Sequence, residues 1–301
     1  MKSKTDLSVK IGALKLKNPI MPASGTYGFG EEMSQLFDPS RLGAQVSKGV
    51  TLPPRSGNDQ PRIGETASGM FNSIGLENPG LDEVQEKKIP FMAQFYSPII
   101  MNINGYSVEE FALIAQRLNS VSAVSALEVN ISCPNVHDNK LPFGSNPEIA
   151  AQVTQAVRAV YDKIVIVKLT PNVTDIAAIA QAVEAAGADA ISLVNTFIGA
   201  LIIGDKIKIG GISGREIKPM ALARVYQVAQ AVKIPVIGMG GISTLSDLLE
   251  FIKAGATAVA IGTANFTNPL IMIELIDQLQ QYCDENEIKN LAKIRGTLKP
   301  F

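Results

Sequence analysis

"PVIGMGGISTLSDLLEFIKAGATAVAIGTA", residues 235–264, changes period twice. Its ends, "PVIGMGG" and "AVAIGTA", are short, nearly continuous apolar runs that finish in glycine-rich turns. Between them, "STLSDLLEFIKAGA" has helical periodicity, with a cap expected at Ser243 and a stop at Gly255. Strand, helix and strand joined this closely make a unit whose strands run parallel and are covered on both faces.

The same unit recurs along the chain. Apolar β-rich runs stand at 19–25 ("PIMPASG"), 44–50 ("AQVSKGV"), 98–104 ("PIIMNIN") and 126–132 ("ALEVNIS"). Further runs stand at 164–170 ("IVIVKLT") and 190–196 ("AISLVNT"), which with the opening pair makes eight. Helical segments alternate with them, among them "SVEEFALIAQRLNS" capped at Ser107, "NPEIAAQVTQAVRAVYD" capped at Asn146, and "TDIAAIAQAVEAAG". Eightfold alternation predicts an α/β fold, a (β/α)8 TIM barrel. The rival, an open doubly wound sheet, needs fewer strands and lacks a G-x-G-x-x-G after the first one. "LSVKIGALKLKNP" predicts a small N-terminal hairpin that plugs the barrel bottom, and "LIMIELIDQLQQYCDEN" a last long helix before a short one. With no linker or composition break, residues 1–301 are expected to form a single domain.

Composition narrows the function. The chain is 46% hydrophobic, 18% charged and carries a net charge of −1, so no nucleic-acid footprint is present. Two cysteines, Cys133 and Cys283, make a poor disulfide framework and suit a reducing compartment. The charged N-terminus lacks the apolar core of a signal peptide, and no run of ~18 apolar residues spans a membrane. A cytoplasmic protein with no membrane or nucleic-acid partner is expected.

Barrel active sites lie at the C-terminal ends of the strands. There the runs deliver Ala23, Ser24 and Gly25; Ser47 and Lys48; Asn102; Asn130, with Cys133 just after; Lys168; Asn195 and Thr196. The last two strands deliver Gly240, Gly241, Gly262 and Thr263, and glycine turns at these strands commonly hold a phosphate. Lys168 has three readings: a structural ion pair, a Schiff-base nucleophile, or a cation beside a cofactor ring that becomes anionic on reduction. Lys48 adds a second cation suited to a carboxylate or a phosphate. Asn72, Asn102, Asn130, Asn135 and Asn195 all fall at strand ends or in following loops. Single asparagines there are ordinary turn residues, but several together suit a planar ligand with alternating N–H and C=O groups. Cys133 reads as an inert small hydrophobe, as a metal ligand without companions, or as a base on the loop "CPNVHDNKLPFGSNP". His137, the one histidine, makes a Cys–His dyad conceivable, against the plainer reading of a solvated loop histidine.

Together these residues resemble the dihydroorotate dehydrogenases, in particular the cytoplasmic class 1B catalytic subunits. The resemblance runs from about residue 8 to about 270 and rests on ordered motifs. They are "PASGTYGFGEE", "PRSGNDQPRIGETASGMFNSIGLENPG", "EVNISCPNV", "VKLTPNVTDI", "AGADAISLVNT", "GGISG" with "IKPMAL", "IPVIGMGGI" and "AVAIGTANF". It implies oxidation of (S)-dihydroorotate to orotate on bound FMN in pyrimidine biosynthesis, with Cys133 as the base. It also implies that Ser24, Lys48, Asn102, Asn130, Lys168, Val194, Gly214, Gly240, Gly241, Gly262 and Thr263 hold FMN. Substrate would meet Lys48, Asn72, Ser73, Ile74, Gly75, Leu76, Asn130, Asn135, Asn195 and Thr196. The implied partners are a second copy in a homodimer and a separate iron–sulfur FAD subunit that passes electrons to NAD+ within a heterotetramer.

The chain departs from the family pattern at "HDNK" after "SCPNV", at "NING" ending the third run, and at "SGREIKP", and its 197–211 segment is short. These departures lie around the flap and the rim of the flavin pocket and leave the FMN residues and Cys133 in place. Three other readings compete. One is a dihydropyrimidine dehydrogenase-like enzyme acting on another reduced pyrimidine, and another is a Schiff-base aldolase using Lys168. The third is a non-enzymatic flavin- or phosphate-binding barrel indifferent to Cys133.

Overall fold

The computed structural model describes residues 5–132 and 142–300. Strands β1 (Val9–Ile11), β2 (Leu14–Leu16), β3 (Ile20–Pro22) and β4 (Gln45–Val46) come first. Next are β5 (Ile63–Glu65), β6 (Gly69–Asn72), β7 (Ile99–Ile103), β8 (Val124–Asn130), β9 (Ile164–Lys168) and β10 (Ala190–Leu193). The last are β11 (Phe197–Ile203), β12 (Lys206–Gly214), β13 (Val236–Met239) and β14 (Ala258–Ile261).

All eight expected runs join one eight-stranded sheet, in the order β3-β14-β13-β10-β9-β8-β7-β4, with parallel pairing throughout. Each strand neighbours the one before it in this series, as a barrel requires and a doubly wound sheet does not. The two end strands meet through Gly43, whose N–H donates to Ile20 O at 2.9 Å. The sheet thus closes nearly on itself.

Strand alternation sorts the apolar residues into two cores. Met21, Val46, Ile100, Ala126, Ile166, Ala190, Ile237 and Ala258 form an inner cluster. Ile11 and Leu16 of the antiparallel β1–β2 hairpin are fully buried in that same cluster, so the hairpin does plug the barrel. Ile20, Met101, Val129, Val165, Val167, Ile191 and Val259 belong instead to a second cluster shared with the helices.

Those helices start where capping chemistry directs them. Ser107 Oγ accepts from Glu110 N at 3.3 Å before Val108–Asn119, and Asn146 Oδ1 accepts from Glu148 N at 2.7 Å before Pro147–Arg158. Asp175 caps Ile176–Ala185, and Ile271–Glu285 is the expected last long helix. One cap is corrected. Thr244, not Ser243, begins Leu245–Lys253, because Asp247 stands three residues after Thr244 and completes a reciprocal capping box with it. Ser243 instead donates its N–H to Asp247 Oδ2 at 3.0 Å.

The expected alternation did not include a second sheet. Strands β11, β12, β6 and β5 form an antiparallel four-stranded sheet. "FIGALII" carries one glycine and "KIKIGGISG" three, and close packing requires one of them. A Cβ at Gly211 would lie 2.2 Å from Thr196 Oγ1. The helix Lys218–Ala231, which follows this sheet, supplies the helix that eightfold alternation requires between the 190–196 and 235–241 runs.

Candidate active site

Above the apolar inner cluster, the next inward positions of the barrel strands are polar. Asn102 on β7, Glu128 on β8, Lys168 on β9 and Ser192 on β10 are all buried, with Lys168 only 2% exposed. Stepping two residues up a strand keeps a side chain on the same face, so Ile100 leads to Asn102, Ala126 to Glu128 and Ile166 to Lys168.

Buried polar groups need partners, and here they find one another. Asn102 Nδ2 donates to Glu128 Oε2 at 2.6 Å, and Ser192 Oγ donates to Glu128 Oε1 at 2.7 Å. Lys168 Nζ lies 4.0 Å from Glu128 Oε2 and donates to Ser24 Oγ at 3.0 Å. Asn104 Nδ2 extends the chain by donating to Asn102 Oδ1 at 3.0 Å, while Asn104 Oδ1 is buried without a hydrogen-bond partner among the described residues. Ser24, Asn102 and Lys168, expected at one site from sequence, are therefore brought together. Asn130, one step above Glu128, holds its Oδ1 toward Ser132 N at 3.2 Å.

Sequence reasoning missed Glu128 and Ser192. The signal was present: Glu128 is a charged residue inside an apolar run, at the inward register of Ala126 and Asn130.

The other expected residues among those described lie at strand ends and in the loops that follow. Lys48, half-buried, lies 3.7 Å from Glu77 Oε2, which also accepts from Arg62 Nη2 at 2.7 Å. Val194 is buried, and its N–H donates to Met239 O at 3.1 Å. Asn72 ends β6, registers with Gly211 of β12, and thereby reaches the neighbourhood of Thr196 through the close approach at Gly211. Asn195 N donates to Leu169 O at 3.3 Å. The 73–76 turn is pinned by Asn58, whose Nδ2 donates to Ser73 Oγ at 3.0 Å and whose N donates to Ile74 O at 2.9 Å. Gly75 and Leu76 both take positive φ, 74° and 57°. Cys133, Asn135 and His137 lie outside the described residues.

The ends of β13 and β14 form a cradle. Gly240 and Gly241 have φ of 125° and 75°, in the left-handed half of conformational space that favours glycine. Thr263 Oγ1 donates to Ser213 Oγ at 2.8 Å, which ties the last barrel strand to the second sheet near Gly214. A Cβ at Gly25 would meet nothing within 4 Å, and one at Gly262 only Ala23 Cβ at 3.6 Å. The space beside Gly25 and Gly262 is thus open, whereas a Cβ at Gly240 would lie 2.6 Å from Ala221 Cβ and one at Gly241 2.7 Å from Lys218 Cβ. The donors around the opening suit a phosphate and a polar planar ring.

An ion-pair cluster braces the cradle from behind. Lys218 pairs with Asp247 and, at 2.9 Å, with Glu250. Desolvation works against both charges. Hydrogen bonds to Asp247 and Glu250 nevertheless leave the Lys218 ammonium above its ordinary pKa, and those from Lys218, Ser243 and Thr244 leave Asp247 below its own. Asp247 thereby fixes the turn that follows Gly240 and Gly241.

Comparison with known proteins fits this geometry. The family model described as dihydroorotate dehydrogenase matches residues 6–283. A relative from Trichlorobacter lovleyi, named dihydroorotate dehydrogenase B (NAD(+)), catalytic subunit, is 50% identical over 98% of this chain and 99% of its own length. One of the same name from Thermoanaerobacter pseudethanolicus is 51% identical over the same shares, and one from Malacoplasma penetrans is 47% identical. Among solved structures, an Eimeria tenella DHODH in complex with ferulenol superposes with a TM-score of 0.83, covering 97% of this chain and 88% of that one. At 21% identity that last likeness speaks for the fold alone.

Proposed function

The chain belongs to the dihydroorotate dehydrogenase family, and from that premise we propose that it is a class 1B catalytic subunit that oxidises (S)-dihydroorotate to orotate in pyrimidine biosynthesis. The family carries a flavin, and the finer reading is FMN. One observation carries it: a buried cation, Lys168, stands with Asn102 and Ser24 at the mouth of a barrel whose last two strands end in glycine turns, with open space beside Gly25 and Gly262.

Ser24, Lys48, Asn102, Asn130, Lys168 and Val194 would hold the ring and ribityl parts of FMN, and Gly214, Gly240, Gly241, Gly262 and Thr263 its phosphate. When bound, FMN supplies the two-electron acceptor for the hydride that leaves C6 of the substrate. The protein supplies the rest. Lys48 offers its ammonium to the substrate carboxylate, with Glu77 and Arg62 fixing where that ammonium rests. Asn72, Asn130, Asn135 and Asn195, with Thr196 and the 73–76 turn, match the alternating donors and acceptors of the ureide ring. Cys133 removes the C5 proton, since a thiol titrates closer to neutrality than a serine hydroxyl and so suits a general base. Family membership sets aside both the aldolase reading of Lys168 and a regulatory barrel.

No helix among the described residues is long and apolar enough to cross a membrane, and a cytoplasmic location is the reading that fits. The relatives' designation as catalytic subunits points to a partner protein. We assign that role to an iron–sulfur FAD subunit, which would pass electrons to NAD+ and join a homodimer of this chain in a heterotetramer. Ile198, Ile202, Ile207 and Ile209 are exposed on one face of the β11–β12 hairpin, an apolar surface suited to association. Mixing the purified chain with dihydroorotate and an artificial electron acceptor tests the activity. Orotate formation that requires bound FMN is expected; no orotate from FMN-loaded protein would overturn the reading.

A further inference from the structure

Glu128 has no place among the residues assigned above, yet it occupies the centre of the polar layer. Both its oxygens accept hydrogen bonds, from Asn102 Nδ2 at 2.6 Å and Ser192 Oγ at 2.7 Å, the acceptor-only pattern of an ionised carboxylate. The Lys168 ammonium stands 4.0 Å away. Glu128 is 4% exposed, so little water screens its charge. Directly beneath lie Ala126 and Ile166, which offer no competing charge.

A structural salt bridge is a poor explanation for this arrangement. Burying two charges costs more than a well-packed apolar pair of similar volume, so the barrel would be as stable without either. The same strand register fills the layer below with Ile100, Ala126 and Ile166. The charge pair sits one step higher, where the ring of the cofactor is assigned.

We propose that Glu128 is a positioning residue and counter-charge that orients Asn102 and Lys168 toward the flavin and offsets part of the Lys168 charge, lowering the flavin's midpoint potential. Lys168 alone would favour the reduced, anionic ring and trap electrons there. With Glu128 beside it, the stabilisation is tempered, and reduced flavin remains able to hand electrons onward. The inference rests on the flavin reading of this site but concerns a residue that reading does not use.

Glu128→Gln removes the charge and keeps the shape: its carbonyl oxygen can still accept from Asn102 Nδ2, and its NH2 group faces Ser192 Oγ, whose hydroxyl can turn to accept. The test is the midpoint potential of bound FMN, measured by dye-coupled reductive titration of wild type and variant, together with the affinity for oxidised FMN. We expect Glu128→Gln to bind oxidised FMN within a few-fold of wild type. The ratio of its affinities for reduced and oxidised FMN should rise about tenfold, which is ~30 mV upward for a two-electron couple. Ser192→Ala deletes one hydrogen bond to Glu128 and no charge, and should leave the potential in place. If Glu128→Gln does not accumulate as folded protein, Glu128→Asp carries the same test. It withdraws the carboxylate by one methylene and should raise the potential by a smaller step. An unchanged or lower potential in the folded variant would overturn the role of Glu128 and leave the flavin reading standing. A wild-type protein that takes up no FMN would overturn both.

Discussion

The lower and upper halves of the barrel interior are built from the same strands and the same inward register, yet they solve opposite problems. Below, Ile100, Ala126, Ile166 and Ala190 pack against Ile11 and Leu16 of the hairpin plug. Above, on the same faces of the same strands, stand Asn102, Glu128, Lys168 and Ser192. The lower layer stabilises the fold by removing apolar surface from water. The upper layer sacrifices that gain: its groups are desolvated and must satisfy one another, which they do through one connected network. Two residues along a strand separate stability from chemistry.

Substitutions can break this contrast. The largest effect is expected at the mouth. Cys133→Ser should retain flavin and lose about 10²–10⁴-fold in turnover at neutral pH, the usual share of a general base. An unchanged rate across pH would show that another group takes the proton.

Next is the charged pair itself. Glu128→Leu leaves Lys168 buried without its counter-charge and should destabilise the FMN-free protein by about 3–5 kcal/mol in urea unfolding. The double variant Glu128→Leu with Lys168→Met should recover most of that stability while turnover stays lost. A double variant as unstable as the single one would mean that the pair is structural after all.

In the lower layer the pattern should invert. Ile166→Ala should cost about 2–4 kcal/mol through lost burial and the cavity left behind. The potential and visible spectrum of bound flavin should not move. A shifted potential would show that the two layers are not separable.

The smallest effect is expected at the brace behind the cradle. Asp247 lies below the ordinary aspartate value of 3.8, so its stabilising contribution is complete above that pH and is lost as pH falls through the lower folded value. Lys218 lies above the ordinary lysine value of 10.5, so its contribution is complete below that pH and is lost as pH rises through the higher folded value. Asp247→Asn should lower stability by about 1 kcal/mol on the plateau between these limits and flatten both limbs of a melting-temperature profile against pH. Parallel limbs in variant and wild type would exclude the pair as their source.

The barrel was legible because strands buried on both faces must be apolar along their whole length, and all eight such runs became strands of one sheet. Its plug was legible for a related reason, since alternation in "VKIGALKL" placed Ile11 and Leu16 on one face. The second sheet was not. Its strands are held by backbone pairing and by close approaches that demand glycine, such as Gly211 against Thr196, and glycine carries no apolar periodicity. In the site, lysines and asparagines at strand ends stood out as types. Glu128 was hidden because its meaning depends on register: only counting in twos from Ala126 shows that it points inward, toward Lys168. Ser192 was hidden for the same reason.

The most direct test of the account is an anaerobic visible spectrum of the purified chain before and after adding dihydroorotate. The account predicts a yellow protein with flavin bands that bleach on addition of substrate. A yellow protein that dihydroorotate leaves unbleached would contradict the assigned substrate. A colourless one that takes up no FMN would contradict the flavin site itself.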